Sequence, residues 1–110
     1  MAILVTIDYR GQAGSAQEFA HDMLENGIVD RIRQQAGNLA YQYYLPWDDQ
    51  DVVRLVDVWT DQAAIDRHHA SSMMAEIIAL REKYDLTMTV NRYQISEDQV
   101  PDSDQAFIRA

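Results

Sequence analysis

Cysteine is absent from all 110 residues, and with it go disulfide bridges, thiolate metal centres and cysteine nucleophiles. That absence is in keeping with a reducing compartment. Basic residues are scarce as well: 9 Lys and Arg stand against 18 Asp and Glu, a net charge of −9. A chain so acidic repels phosphate backbones and anionic lipid, so nucleic acid and membrane surfaces are poor partners for it. No apolar run approaches the roughly 20 residues that cross a bilayer. The opening stretch Met1–Tyr9 is too short for an export signal and lacks its basic flank, so a cytoplasmic protein is expected. Glycine-rich phosphate loops, a nucleophile elbow and a Ser/His/Asp order are also missing. What is present is a 47% apolar content, enough for one core in a chain the length of one domain.

The apolar pattern orders the chain. Residues 2–9 are rich in β-branched side chains and read as a strand, which Gly11 and Gly14 interrupt. Ser15-Ala16-Gln17-Glu18 has the form of a capping box, and Phe19, Met23, Leu24, Ile28 and Ile32 follow at helical spacing. Asn26-Gly27 is expected to kink or briefly interrupt that helix, and Gly37-Asn38 to end it. Residues 39–45 and 52–59 read as a hairpin around the polar turn Pro46–Asp51. A second helix, capped by Thr60 or Asp61, is expected to run to about Tyr84, and Leu86–Ile95 forms a fourth strand. The predicted fold is α+β and ferredoxin-like, β-α-β-β-α-β, over residues 1–96. Residues 97–110 form an acidic tail, expected to be mobile or laid along a neighbour.

Two helices cover one face of a four-stranded sheet, yet both faces read apolar. Val53 and Leu55 lie opposite Val52, Val56 and Val58, and Ile3, Val5 and Ile7 lie opposite Leu4. A homodimer joined through its sheet faces supplies the missing cover, since the tail is too polar to do so.

Chemistry concentrates between Asp57 and Ser71. Asp57 and Trp59 share a face at the end of a strand, and His68 and His69 follow in the next helix. At 100° per residue the two histidines cannot point the same way. His68 lies on the sheet side; its plainer reading is a core-edge histidine bonded to a strand residue such as Asp57. His69 reads as a rim residue or a partner of Asp66. No zinc- or iron-type ligand spacing occurs, so no metal is expected. Tyr41 and Tyr43 share one face of the second strand, with Tyr44 on the other. Such aromatics fill cores, and they also line pockets for flat substrates. Met73-Met74 reads as filler or as an adaptable pocket wall.

On Gly37-Asn38-Leu39-Ala40-Tyr41, on Asp57-x-Trp59 followed by Asp61, Ala64 and His68, and on Leu80-Arg81-Glu82-Lys83-Tyr84-Asp85-Leu86, the chain resembles the antibiotic biosynthesis monooxygenase family, which includes quinol monooxygenases. The resemblance covers roughly residues 2–95. It implies a dimeric α+β barrel that uses molecular oxygen on a small electron-rich aromatic, a quinol, anthrone or polyketide-like compound, with no cofactor. It further implies His68 as a base, Asp57 fixing its tautomer, and Trp59, Tyr41, Tyr43, His69 and Met73 around the substrate ring. Three departures stand out. Asp57 replaces a common glutamate, and Ser71-Ser72-Met73 stands where many members read Ser-Pro-His. His68 and Ile78 occupy the positions where haem-degrading relatives carry a tryptophan and the haem-ligating histidine. An isomerase-type enzyme and a non-catalytic binding dimer are the alternatives on this fold.

Overall fold

Alternation in strand β1 (Ala2–Arg10) puts Ile3, Val5, Ile7 and Tyr9 on one face, with Ile3, Val5 and Tyr9 buried. In the computed structural model, which describes residues 1–109, β1 pairs antiparallel on both sides. Its partners are β3 (Val52–Trp59) and β4 (Thr87–Ile95), and β2 (Asn38–Tyr44) pairs antiparallel with β3. The sheet order is β2-β3-β1-β4. Between the strands run α1 (Ser15–Glu25), α2 (Ile28–Arg33), α3 (Gln62–His69) and α4 (Met73–Lys83). The arrangement is the predicted ferredoxin-like α+β fold, with each crossover helix broken in two.

The core lies between one sheet face and the helices. From α1 it takes Phe19 and Met23, from α2 Ile28 and Ile32, and from β3 Leu55 and Trp59. Each such side chain contributes about 1.5–3 kcal/mol on burial. In α1, Ala16, Phe19, Ala20 and Met23 recur at i, i+3, i+4 and i+7, the buried stripe of an amphipathic helix.

The helix breaks have local causes. Gly27 takes a left-handed φ of 72° and separates α1 from α2, so of the kink or brief interruption expected there the structure has the interruption. The second predicted helix splits at Ala70–Ser72, because the Ser71 hydroxyl donates to the His68 carbonyl at 2.7 Å and competes with helix continuation. The Asp61 cap is present, its carboxylate accepting from the Ala64 N–H at 2.9 Å. The Ser15 cap is not. Gly14, at φ 81°, occupies the cap position, and the Ser15 hydroxyl is buried one residue inside the helix without a partner. Gly37 joins α2 to β2 at φ 86°, and a methyl group there would stand 2.5 Å from the Ala64 Cβ. Only glycine lets the start of β2 pass this close to α3.

The other sheet face is graded. One row across it reads Ala40, Val58, Leu4, Tyr93; the next reads Gln42, Val56, Thr6, Asn91; the third ends on Tyr44, Arg54, Asp8, Thr89. Arg54 donates twice to Asp8, at 2.7 and 2.9 Å. The tail contains one helical turn, α5 (Asp102–Gln105), and residues 96–109 are all exposed, so it buries none of its side chains on this face. No helix among the described residues is long and apolar enough to cross a membrane.

Candidate active site

The strand register brings the site together. Across the helix-facing side of the sheet, one row runs Tyr41 on β2, Asp57 on β3, Val5 on β1 and Arg92 on β4. Above it α3 lays His68, and α4 lays Met74, Ile77 and Arg81. Between the two layers is a partly open cavity of about 230 Å³, walled by apolar side chains such as Val5, Leu55 and Ile65, with Asp57, His68 and His69 at one end. A larger groove of about 770 Å³ along α1 is more open; in its lining the Tyr84 hydroxyl donates to Asp22, which Lys83 also approaches at 3.6 Å, and the Tyr43 hydroxyl is buried without a partner. The smaller space holds the two buried titratable side chains, Asp57 and His68.

Asp57 and His68 are each 6% exposed. The sequence reading expected them to bond to each other; they do not. The Trp59 indole N–H donates to Asp57 Oδ2 at 2.6 Å, and His68 Nδ1–H donates to Gln35 Oε1 at 2.7 Å. Asp57 and Trp59 are neighbours along one face of the same strand, so the indole reaches the carboxylate first. Gln35 follows α2 and reaches His68 across the top of the core. Two free groups result: Asp57 Oδ1, buried without a partner, and His68 Nε2, with no bond to protein among the described residues. With the amide oxygen of Gln35 accepting, the proton stays on Nδ1 and the lone pair on Nε2.

Burial pushes the Asp57 carboxyl up to about 6, against the opposing pull of the Trp59 N–H and of His69. Burial, helped by His69, pushes His68 down to about 4. Tyr9, Tyr41 and Tyr43 are raised by burial and stay protonated. The site is thus a neutral imidazole beside a carboxyl poised to titrate just below neutrality, the kind of perturbed pair that marks functional sites.

The other predicted residues divide. Tyr41 and His69 line the cavity; the His69 ring lies 5.7 Å from that of His68 and makes no bond to Asp66. Trp59 does not face the cavity. At 1% exposed it stacks behind His68, ring centroids 4.9 Å apart, and so fixes the imidazole plane. Tyr43 borders the open groove instead, because it lies one row further from Asp57. Met74 lines the wall in place of Met73, which packs against the core. Sequence reasoning missed Gln35, Tyr9, Arg81 and Arg92. A signal existed for Arg92, an arginine in the inward register of Met88, Val90 and Arg92, whereas Gln35 lies in a turn with no pattern to mark it. No group of three His, Asp or Glu side chains stands close enough to hold a metal ion among the described residues.

A four-stranded antiparallel sheet under broken crossover helices, with a cavity between them, defines a ferredoxin-like α+β protein. The sequence profile of the antibiotic biosynthesis monooxygenases matches residues 2–80, and the chain belongs to that family. Solved structures share the fold. A Deinococcus radiodurans protein provisionally assigned to the same monooxygenases superposes with a TM-score of 0.77 at 16% identity, covering 90% of this chain and 97% of its own. SnoaB, a cofactor-independent oxygenase from Streptomyces nogalater, gives 0.73 at 14% identity, covering 92% and 98%. A conserved protein from Methanosarcina mazei gives 0.74 at 22% identity, covering 87% and 94%. No curated protein matches the sequence at a significant level.

Proposed function

We propose that this chain is a cofactor-independent monooxygenase that oxygenates a small electron-rich aromatic bearing an acidic hydroxyl, a quinol or an anthrone in its enol form. Membership of the family supports a monooxygenase in general. The observation that carries the specific reading is the pairing, in one cavity, of an imidazole tethered through Nδ1 with a carboxyl whose Oδ1 lacks a partner.

Ground-state oxygen reacts slowly with closed-shell molecules, and an aromatic oxyanion is a far better electron donor. The reaction therefore begins with proton removal. His68 Nε2 takes the hydroxyl proton, with Nδ1–H held by Gln35. The imidazolium lies at the same end of the cavity as Asp57, whose carboxylate offsets its charge. The oxyanion gives one electron to oxygen, the two radicals combine to form a C–O bond, and loss of water from the hydroperoxide leaves a carbonyl. An anthrone and one oxygen molecule give a quinone and one water, and the substrate supplies all the electrons. The apolar walls and the Tyr41 hydroxyl hold the ring and exclude water.

An oxygen electrode with a panel of quinols and anthrones tests this directly: uptake equimolar with quinone formed, undiminished by chelators, is the expected result. A ligand recovered unaltered, or isomerised with no oxygen consumed, would move the chain to a binding or isomerase role.

We also propose a homodimer through the free sheet face, supported by the apolar row Ala40, Val58, Leu4 and Tyr93, which the chain's own tail leaves uncovered. Light scattering is expected to give twice the 12.7 kDa chain mass. A single-chain mass at micromolar concentration would overturn the arrangement.

A further inference from the structure

The cavity has a second end that proton removal does not use. Arg92 stands in the same cross-sheet row as Asp57 with Val5 between them, so their backbones are two strand spacings apart, roughly 10 Å. Arg81, from α4, lines the same space. In a chain with twice as many acids as bases, five of the nine Lys and Arg side chains (Arg10, Arg31, Arg54, Arg81 and Lys83) have an acidic partner. Arg92 has none among the described residues and donates to the neutral amide oxygen of Gln62 at 2.6 Å. The acidic neighbour of Arg81 is Glu82, an exposed carboxylate at 3.4 Å, and its other contact is the sulfur of Met88. Of the residues lining the cavity, Asp57 alone is acidic, and it bonds neither arginine. Between the two ends the wall is Val5, Ile7, Leu55 and Val90, an apolar surface suited to a flat hydrocarbon.

We infer that the substrate is an aromatic hydroxy acid, its hydroxyl directed to Asp57 and His68 and its carboxylate received at the other end by Arg92 with Arg81. This deepens the proposed function and rests on its choice of cavity. A guanidinium fork matches a carboxylate's two oxygens, and a site with an unpaired cation at its mouth discriminates strongly against a neutral analogue. The volume of about 230 Å³ is small beside the roughly 300–1,000 Å³ of drug-sized sites, so two fused rings are a suitable size of probe.

The test is calorimetric binding of 6-hydroxy-2-naphthoate and of 2-naphthol, two-ring probes that differ by the carboxylate. The naphthoate is expected to bind at least ten-fold more tightly. In Arg92→Gln that preference should shrink to within about three-fold, with Arg92→Lys intermediate and Arg81→Gln a partial loss. Asp57→Asn should weaken both probes alike, since both present the hydroxyl. Equal affinity for the two probes, no binding of the naphthoate at millimolar concentration, or an intact preference in Arg92→Gln would each overturn the inference. Probes that bind but ignore Asp57→Asn occupy another site, and that outcome would take the proposed cavity down with it. Oxygen uptake with neutral quinols, together with equal probe affinity, would sink the carboxylate alone.

Discussion

Oxygen uptake by the His68→Ala variant is expected to fall by about 10²–10⁴-fold, with probe affinity changed by no more than a few-fold. The size follows from the usual worth of a positioned base, and the split between turnover and binding from geometry. His68 presents one nitrogen to the substrate, whereas Tyr41 and the apolar walls supply most of the contact area. An imidazole held at about 4 is a weak base in the empty cavity. An oxyanion forming beside Nε2 raises it, since opposite charges in a low-dielectric site attract strongly. Gln35 controls this balance as a positioning residue. Gln35→Leu removes the acceptor for Nδ1–H, which frees the tautomer and should lower kcat with little change in KM. Gln35→Glu places a charge there and should shift the acid limb of the pH–rate profile upward. A purely structural Gln35 would alter neither limb. Full activity in His68→Ala together with loss in Asp57→Asn would transfer the base role to Asp57, whose Oδ1 is also free.

The fold was legible because its signals are local and repeated: β-branched alternation in β1 and β3, the Phe19–Met23 stripe of α1, the aspartate cap before α3. Where the reading slipped, a tertiary contact outvoted the pattern. Ser15 has the spacing of a cap, but the left-handed Gly14 sets the chain one residue ahead of it. Asp57 and His68 were placed correctly on facing layers, yet spacing cannot say which donor arrives first. The Trp59 indole, two residues along the same strand face, saturates one carboxylate oxygen, and a glutamine from a distant turn takes the imidazole N–H. The cationic end was legible only in part. Alternation on β4 puts Arg92 in line with Met88 and Val90, but its place in the row of Val5 and Asp57 comes from the β1–β4 register, which that alternation does not fix.

The last expectation concerns stability. Asp57→Asn should make the protein more stable at pH 7.5 by up to roughly 3 kcal/mol, read from urea unfolding, while impairing the site. A carboxyl raised from 3.8 to about 6 in the folded chain is ionised at a cost of about 1.4 kcal/mol per pH unit of that rise. Its favourable contribution is complete below about pH 4 and is lost as pH climbs through 6. His68 has the opposite sign. Lowered from 6.5 to about 4, it supports the fold fully above about pH 6.5 and loses that support as pH falls through 4. The two slopes nearly cancel between pH 4 and 6.5, so their combined effect on the parent protein's stability should be close to flat there. Asp57→Asn removes one slope and should expose the other, a stability that climbs steadily from pH 4 to 6.5. An Asp57→Asn variant whose profile parallels the parent's would mean that the carboxyl is not held in its unfavourable charged state at neutral pH. The buried acid would then be an ordinary one, and the pairing of Asp57 with His68 would lose its physical basis.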